Sequence, residues 1–221
     1  EQFMDNFLPE YKYFVQTAAE KLNIESAVFK ELLPDPFRAA FMYNGIKSGF
    51  DCYAQEYPFE SNQLLNPVGM VNLAQCLYAI KKLCFEQKVC TLPELKKAMD
   101  ANWVGYEELH QRCLKLEHYG NGETEADEMV HRCYELWVQI ADETPSSLGG
   151  HFRCSAISVT SHQPGGALCG AMPDGRCAGE ILADACASPI AGCDHEGPLA
   201  VFSSALSIPQ DRFQAMLLNM K

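Results

Sequence analysis

Positive charge is scarce in this sequence. Seventeen lysines and arginines stand against 29 aspartates and glutamates, a formal net charge of -12. No basic stripe is available to neutralise phosphates, so neither nucleic acid nor an anionic membrane is an expected partner. Long apolar runs are missing too. No stretch reaches the roughly eighteen residues of a membrane span, and no basic, apolar, small-residue leader is visible. C-x2-C and C-x4-C pairs are absent. Cys169, Cys177, Cys186 and Cys193 follow at intervals of 8, 9 and 7, which fits no usual zinc or iron–sulfur pattern. G-x-S-x-G, G-x-x-x-x-G-K-[ST] and G-x-G-x-x-G do not occur, so serine-hydrolase, phosphate-loop and nicotinamide readings gain nothing.

Cysteine, by contrast, is plentiful. There are 11, an odd number that cannot all pair within one chain. Cys76, Cys84, Cys113 and Cys133 fall among the apolar positions of helical segments, where a thiol behaves as a small hydrophobe. Reduced, mostly structural thiols in a cytoplasmic protein are expected rather than a disulfide framework. With 221 residues and 48% hydrophobic content, the chain can bury a sizeable core.

Residues 1–141 read as helices. Phe3, Phe7, Tyr11 and Phe14 form one apolar face, with Pro9 expected to start a turn or kink. VGMVNLAQCLYAIKKLCFEQK is the clearest helix, with Leu73, Leu77, Ile80 and Cys84 along one side. TLPEL offers Thr91 and Glu94 as a capping box ahead of Leu95, Ala98 and Met99. Tyr106, Leu109, Cys113 and Leu116 continue the pattern. Thr124 precedes Asp127, and Val130, Cys133, Trp137 and Ile140 mark a further buried stripe.

From Thr144 the pattern changes. Nine of the 15 glycines follow that point. HFRCSAISVT (151–160) and PLAVFSSALS (198–207) read as two largely buried strands. Between them, PGGALCGAMPDGRCAGEILAD (164–184) carries five glycines and two prolines, a composition for a long ordered loop. Gly175 permits a tight turn between Asp174 and Arg176. The planar fork of Arg176 can pin neighbouring carbonyls or a carboxylate, with Glu180 or Asp184 as local partners. A structural clamp is the leading role for Arg176, with a solvated surface arginine and a substrate contact as alternatives. Two strands cannot make a sheet covered on both faces, so these two look like staves of something larger.

These residues resemble a known family. SVTSH (158–162), GAMPDGRCAGE (170–180), ILADACASP (181–189), GCDHEGPLAVFSSALSI (192–208) and LLN (217–219) are similar to the C-terminal part of glycyl radical enzymes of the pyruvate formate-lyase and diol dehydratase type. GMVNLAQCLYAIKKLCF (69–85), GYEEL (105–109) and YGNGETEAD (119–127) extend the likeness into the helical half. Departures are local: Ile181 and Ala185 stand where proline and glycine are usual, and Leu199 where threonine is common.

The resemblance implies an α/β fold, mainly helical, forming part of a ten-stranded α/β barrel. Residues 1–141 would be its outer helical layer, and 142–221 barrel strands with the PDGR loop. It also implies a protein glycyl radical, installed by a partner activase with a [4Fe–4S] cluster and S-adenosylmethionine, and a cysteine that forms a thiyl radical. The family's G-C-x-E and R-V-x-G-Y settings for those two residues are both absent here. The chain is therefore expected to be a fragment or truncated member, inactive alone, with no catalytic residue, metal or cofactor of its own. A stand-alone, non-catalytic interaction or assembly module is the alternative. Ile157 and His162 are candidate pocket-edge residues, each with simple packing or structural hydrogen bonding as the competing role. The strand edges and apolar faces are expected to seek another copy of the chain or the remainder of an enzyme.

Overall fold

The computed structural model describes residues 2–54, 60–122 and 124–220, with the backbone alone at 60–62. They fall into two compact units: 1–65 with 136–155, and 66–135 with 156–221. This grouping interleaves the segments on either side of residue 141.

The first unit is built on helix α1 (Gln2–Leu32), short helices α2 (Pro36–Ala40) and α3 (Gly45–Ser48), and strand β1 (Glu60–Leu65). Helix α1 runs unbroken through Pro9. An internal proline costs a helix about 3 kcal/mol, and the packed rings around it oppose that cost. Phe3 stacks on Phe7, Phe7 on Tyr11, and Tyr11 meets Trp137 at 6.5 Å. The expected turn does not form. Phe14 also departs from the expected face. The stripe continues through Val15, Ala19 and Ser26, all buried, which leaves Phe14 67% exposed.

Strand β1 pairs in parallel with β2 (His151–Ala156), with Leu64 opposite Arg153 and Leu65 opposite Cys154. Side-chain amides tie α1 to this region. Gln63 Nε2 donates to Ser26 Oγ at 2.7 Å and to the Leu22 carbonyl at 3.0 Å. Asn23 donates to the Pro145 carbonyl and accepts from the Ser147 N–H.

The second unit surrounds α4 (Met70–Ile80), which is buried on nearly every side rather than along one stripe. It passes into a π-helical turn, Lys81–Glu86, where the Gln87 N–H reaches the Lys82 carbonyl. Helix α5 (Leu92–Asp100) starts on the expected capping box: Glu94 N–H donates to Thr91 Oγ1, and Thr91 N–H to Glu94 Oε2. Helix α6 (Glu107–Leu114) buries Cys113. Helix α7 (Glu125–Glu143) is divided between the units, with Val130 and Cys133 buried in this one and Trp137 and Ile140 in the first. Thr124 and the buried Asp127 form a second reciprocal cap at the start of α7.

The segment after residue 156 departs most from expectation. Strand β2 ends at Ala156, and α8 (His162–Leu168) follows a turn in which Val159 takes φ +51°. Residues 198–207 are not a strand. They form α9 (Pro198–Leu206), with Gly197 before the helix and Pro198 in its first turn. Proline fits there because the first helical N–H has no partner within the helix to lose. Val201, Ser204, Ala205 and Ile208 are buried at helical spacing, while Leu199 and Leu206 are 81% and 76% exposed. Strand β3 (Phe213–Met216) follows, and just past it the Leu217 N–H donates to the Ala156 carbonyl at 3.2 Å.

Candidate functional site

The glycine-rich segment closes around the guanidinium of Arg176, which is only 6% exposed. Its Nη1 donates to the carbonyls of Gly166, at 3.3 Å, and Glu180. Its Nη2 donates to those of Cys169, at 3.1 Å, and Gly170, and Nε faces Met172 Sδ. One side chain thus gathers carbonyls from both ends of a loop that has no strand ladder to satisfy them. The partners of the fork are backbone oxygens, not the carboxylates of Glu180 or Asp184.

The turn itself is fixed by close packing. The Gly175 N–H donates to the Met172 carbonyl, and the Met172 N–H to the Arg176 carbonyl, both at 3.0 Å. Gly175 has φ +94°, and a Cβ there would sit 2.7 Å from Leu114. At Gly166 an added Cβ would meet the Glu180 carbonyl oxygen at 2.3 Å. Gly166 has no room for a side chain because the obstacle is backbone, whereas at Gly175 the left-handed φ is the constraint, since the Leu114 side chain can shift. His110 Nε2 lies 2.7 Å from the Gly175 carbonyl, and Trp103 Nε1 donates to that of Arg176.

Asp174 is buried in this frame. Its carboxylate accepts from the Arg176 N–H at 3.1 Å and from Asn72 Nδ2 at 2.8 Å. Burial pushes the carboxyl upward from its ordinary range, opposed by those hydrogen bonds and by the charges of Arg176 and His118. Asn72 accepts in turn from the Ala183 N–H at 2.7 Å, so one α4 side chain holds both ends of the 174–183 span. The Glu180 carboxylate accepts from the Cys177 N–H, which keeps its charge on the outer side of the loop.

A second cluster lies at the other end of the segment. His162 Nδ1 is 3.4 Å from Asp184 Oδ1 and 3.5 Å from Ser158 Oγ. Both groups address the same ring nitrogen, so no serine–histidine–aspartate relay is formed, since a relay uses the two nitrogens separately. Ser158 Oγ accepts from the Ala185 N–H, and Asn219 donates to Asp184. Ile157 is half-buried, and its peptide group is held at both ends by the Asn66 side-chain amide. Ala185 and Cys186 both take left-handed backbone, φ +55° and +68°. Cys186 Sγ donates to the Pro67 carbonyl at 2.8 Å, and burial pushes its thiol up to about 12.

The structure therefore brings Asp174, Gly175, Arg176 and the Glu180 backbone into one frame, and His162 with Asp184 into another. The supports that sequence reasoning passed over are Asn72, Trp103 and His110. Asn72 was detectable: an amide inside MVNLAQCLYAI must find partners if that helix is buried. Among the described residues, no group of three histidine, cysteine, aspartate or glutamate side chains is arranged to hold a metal ion. No helix among them is long and apolar enough to cross a membrane.

Comparison with known proteins gives the class to which this fold and loop belong. A family profile described as pyruvate formate lyase-like matches residues 1–166. The chain belongs to this family, the glycyl radical enzymes. It is 26% identical to the glycyl radical subunit of 4-hydroxyphenylacetate decarboxylase from Clostridioides difficile, across all of this chain and 27% of that protein. Among solved structures, it matches one for 1,2-propanediol dehydration in Roseburia inulinivorans, with TM-score 0.88 and 30% identity. It also matches the B12-independent glycerol dehydratase of Clostridium butyricum, with TM-score 0.89 and 27% identity. Each of these two matches covers 99% of this chain and 28% of the other. The chain spans little more than a quarter of the length of the relatives it matches.

Proposed function

We propose that this chain forms a stretch of wall and the closing PDGR loop of a ten-stranded barrel in a glycyl radical lyase or dehydratase. In this reading the thiyl cysteine and the radical glycine come from polypeptide outside this sequence. The observation that carries it is the match of nearly the whole chain to about a quarter of solved dehydratases, in a sequence with neither G-C-x-E nor R-V-x-G-Y. The loop's task is then mechanical. Arg176, Asp174 and Asn72 hold a glycine-rich segment rigid without regular structure, which helps a barrel keep solvent and competing reactions from a radical.

The radical would be installed by an activase carrying a [4Fe–4S] cluster and S-adenosylmethionine, in the cytoplasm. The remainder of the enzyme, or a second copy of this chain, would cover the apolar face of α9. Ile157 and His162 would lie toward the pocket edge, and the substrate would be chosen mainly by residues elsewhere. A stand-alone assembly module is the second reading, favoured by the bare leucines of α9. Intact mass of the native product separates the two. A polypeptide several times 24.6 kDa supports the enzyme segment, and a product near 24.6 kDa overturns it.

A further inference from the structure

All eleven cysteines are free thiols, and two of them face each other. Cys84 Sγ and Cys90 Sγ are 3.7 Å apart, within sulfur hydrogen-bonding distance. Cys84 belongs to the π-helical turn Lys81–Glu86, and Cys90 directly precedes Thr91, the N-cap of α5. The chain between them is folded back on itself. The Val89 N–H donates to the Leu83 carbonyl at 2.8 Å, and Lys88 takes left-handed backbone at φ +52°. The backbone bond between the residues directly before each cysteine therefore brings the two thiols together. Both are half-buried at the rim of the core formed by Leu83, Leu95, Ala98, Trp103 and Cys113.

We propose that Cys84 and Cys90 are a redox-responsive pair, closed to an intramolecular disulfide by a peroxide-class oxidant and reopened by a dithiol. In the first step the Cys90 sulfur attacks a peroxide oxygen. An S–O bond forms and the O–O bond breaks, giving a sulfenic acid and one water. Cys84 sulfur then attacks Cys90 sulfur, so that S–S forms, S–O breaks, and the oxygen leaves as a second water. Two thiols and one hydrogen peroxide thus give one disulfide and two waters. Reduction reverses this through two thiol–disulfide exchanges.

The order of attack follows from position. At the start of α5, Cys90 accepts the hydrogen bond of Cys84, which lowers its thiol and partly offsets the raising effects of burial and of the Glu94 charge. Burial raises both thiols, and Cys84, pushed up to about 12 by burial and by its hydrogen bond with Cys90, is the one that keeps its proton. The core beside the pair also supports the Arg176 frame, since Trp103 donates to the Arg176 carbonyl and Cys177 packs on the same cluster. Closing the pair would stiffen the junction of the π turn with α5 on which that frame rests.

The test uses the reduced protein, prepared anaerobically and exposed to graded hydrogen peroxide. It is then alkylated in denaturant and mapped by mass spectrometry. The expected first product is a linked peptide joining Cys84 and Cys90, lighter by two hydrogens and restored by dithiothreitol, with slower amide exchange at 83–95. Cys84→Ser should instead accumulate Cys90 sulfenic acid, trapped by a dione reagent, and Cys90→Ser should leave Cys84 a thiol. If either variant fails to fold, the order of modification in the unsubstituted protein still decides. A first disulfide between any other cysteines overturns the proposal, as does over-oxidation elsewhere while Cys84 and Cys90 remain thiols.

Discussion

Replacing Arg176 with lysine tests whether the guanidinium fork holds the glycine-rich loop. The arginine reaches four carbonyls, those of Gly166, Cys169, Gly170 and Glu180. The Gly166 and Cys169 carbonyls also accept the backbone N–H groups of Cys169 and Gly179, so those of Gly170 and Glu180 are the ones that depend on the fork, one on each Nη. A lysine ammonium is one compact head on an unforked stem and cannot take the place of both Nη atoms, so it leaves at least one of those two oxygens unpaired. Each buried group left unsatisfied costs about 1–3 kcal/mol. One such loss gives a destabilisation of about 1–3 kcal/mol, a large share of the roughly 5–15 kcal/mol that stabilises a typical domain. Arg176→Ala, which strands the carbonyls of both Gly170 and Glu180, should cost about 2–6 kcal/mol. Urea unfolding followed by circular dichroism reads the first quantity, and amide exchange across 166–182 locates it in the loop. If Arg176→Lys falls within about 0.5 kcal/mol of the parent, as an ordinary surface change does, the clamp reasoning is refuted.

Three other outcomes follow from the same geometry. Burial raises the Asp174 carboxyl in the folded state, so the folded chain holds that proton to higher pH than the unfolded chain. Stability from this group is therefore greatest below the ordinary carboxylate value of about 3.9, falls as pH rises through the raised folded value, and is flat above it. Asp174→Asn removes the titration, and its stability relative to the parent should climb over that window in urea titrations taken at stepped pH. Ala185→Gly should stabilise by about 0.5 kcal/mol in thermal unfolding, because φ +55° costs an alanine about 1–2 kcal/mol and glycine's freer unfolded chain returns only part of that. The double change Leu199→Glu with Leu206→Glu should lower self-association across a concentration series in light scattering, and unchanged association would remove α9 as the contact face.

The helical half was legible because its signals are local. The capping box at Thr91, the cap at Thr124 and the stripe from Val130 to Ile140 are each set by side chains within a few turns. Residues 198–207 misled because a short apolar run has no decisive period. The informative residues were Gly197 and Pro198, a helix start, rather than the nine that follow. Pro9 misled for the opposite reason: its local rule is sound, and ring packing along α1 overrode it. Strands β1 and β3 were passed over because their sequences, ESNQLL and FQAM, are too short and mixed to read without their neighbours. In the site, the roles of Asp174 and Gly175 could be framed from the turn chemistry of PDGR. The partners of Arg176 could not be chosen, because carbonyls and carboxylates were equally near in sequence. Which of them the fork meets is fixed by Gly166, whose lack of a side chain lets α8 approach the Glu180–Leu182 backbone.

Electron paramagnetic resonance tests the central claim most directly. The chain would be incubated anaerobically with a radical-generating activase and S-adenosylmethionine, beside a full-length relative as positive control. The relative should give the doublet of a backbone glycyl radical, and this chain should give none. A glycyl doublet from this chain alone would contradict the account, and would require one of its fifteen glycines to carry the radical.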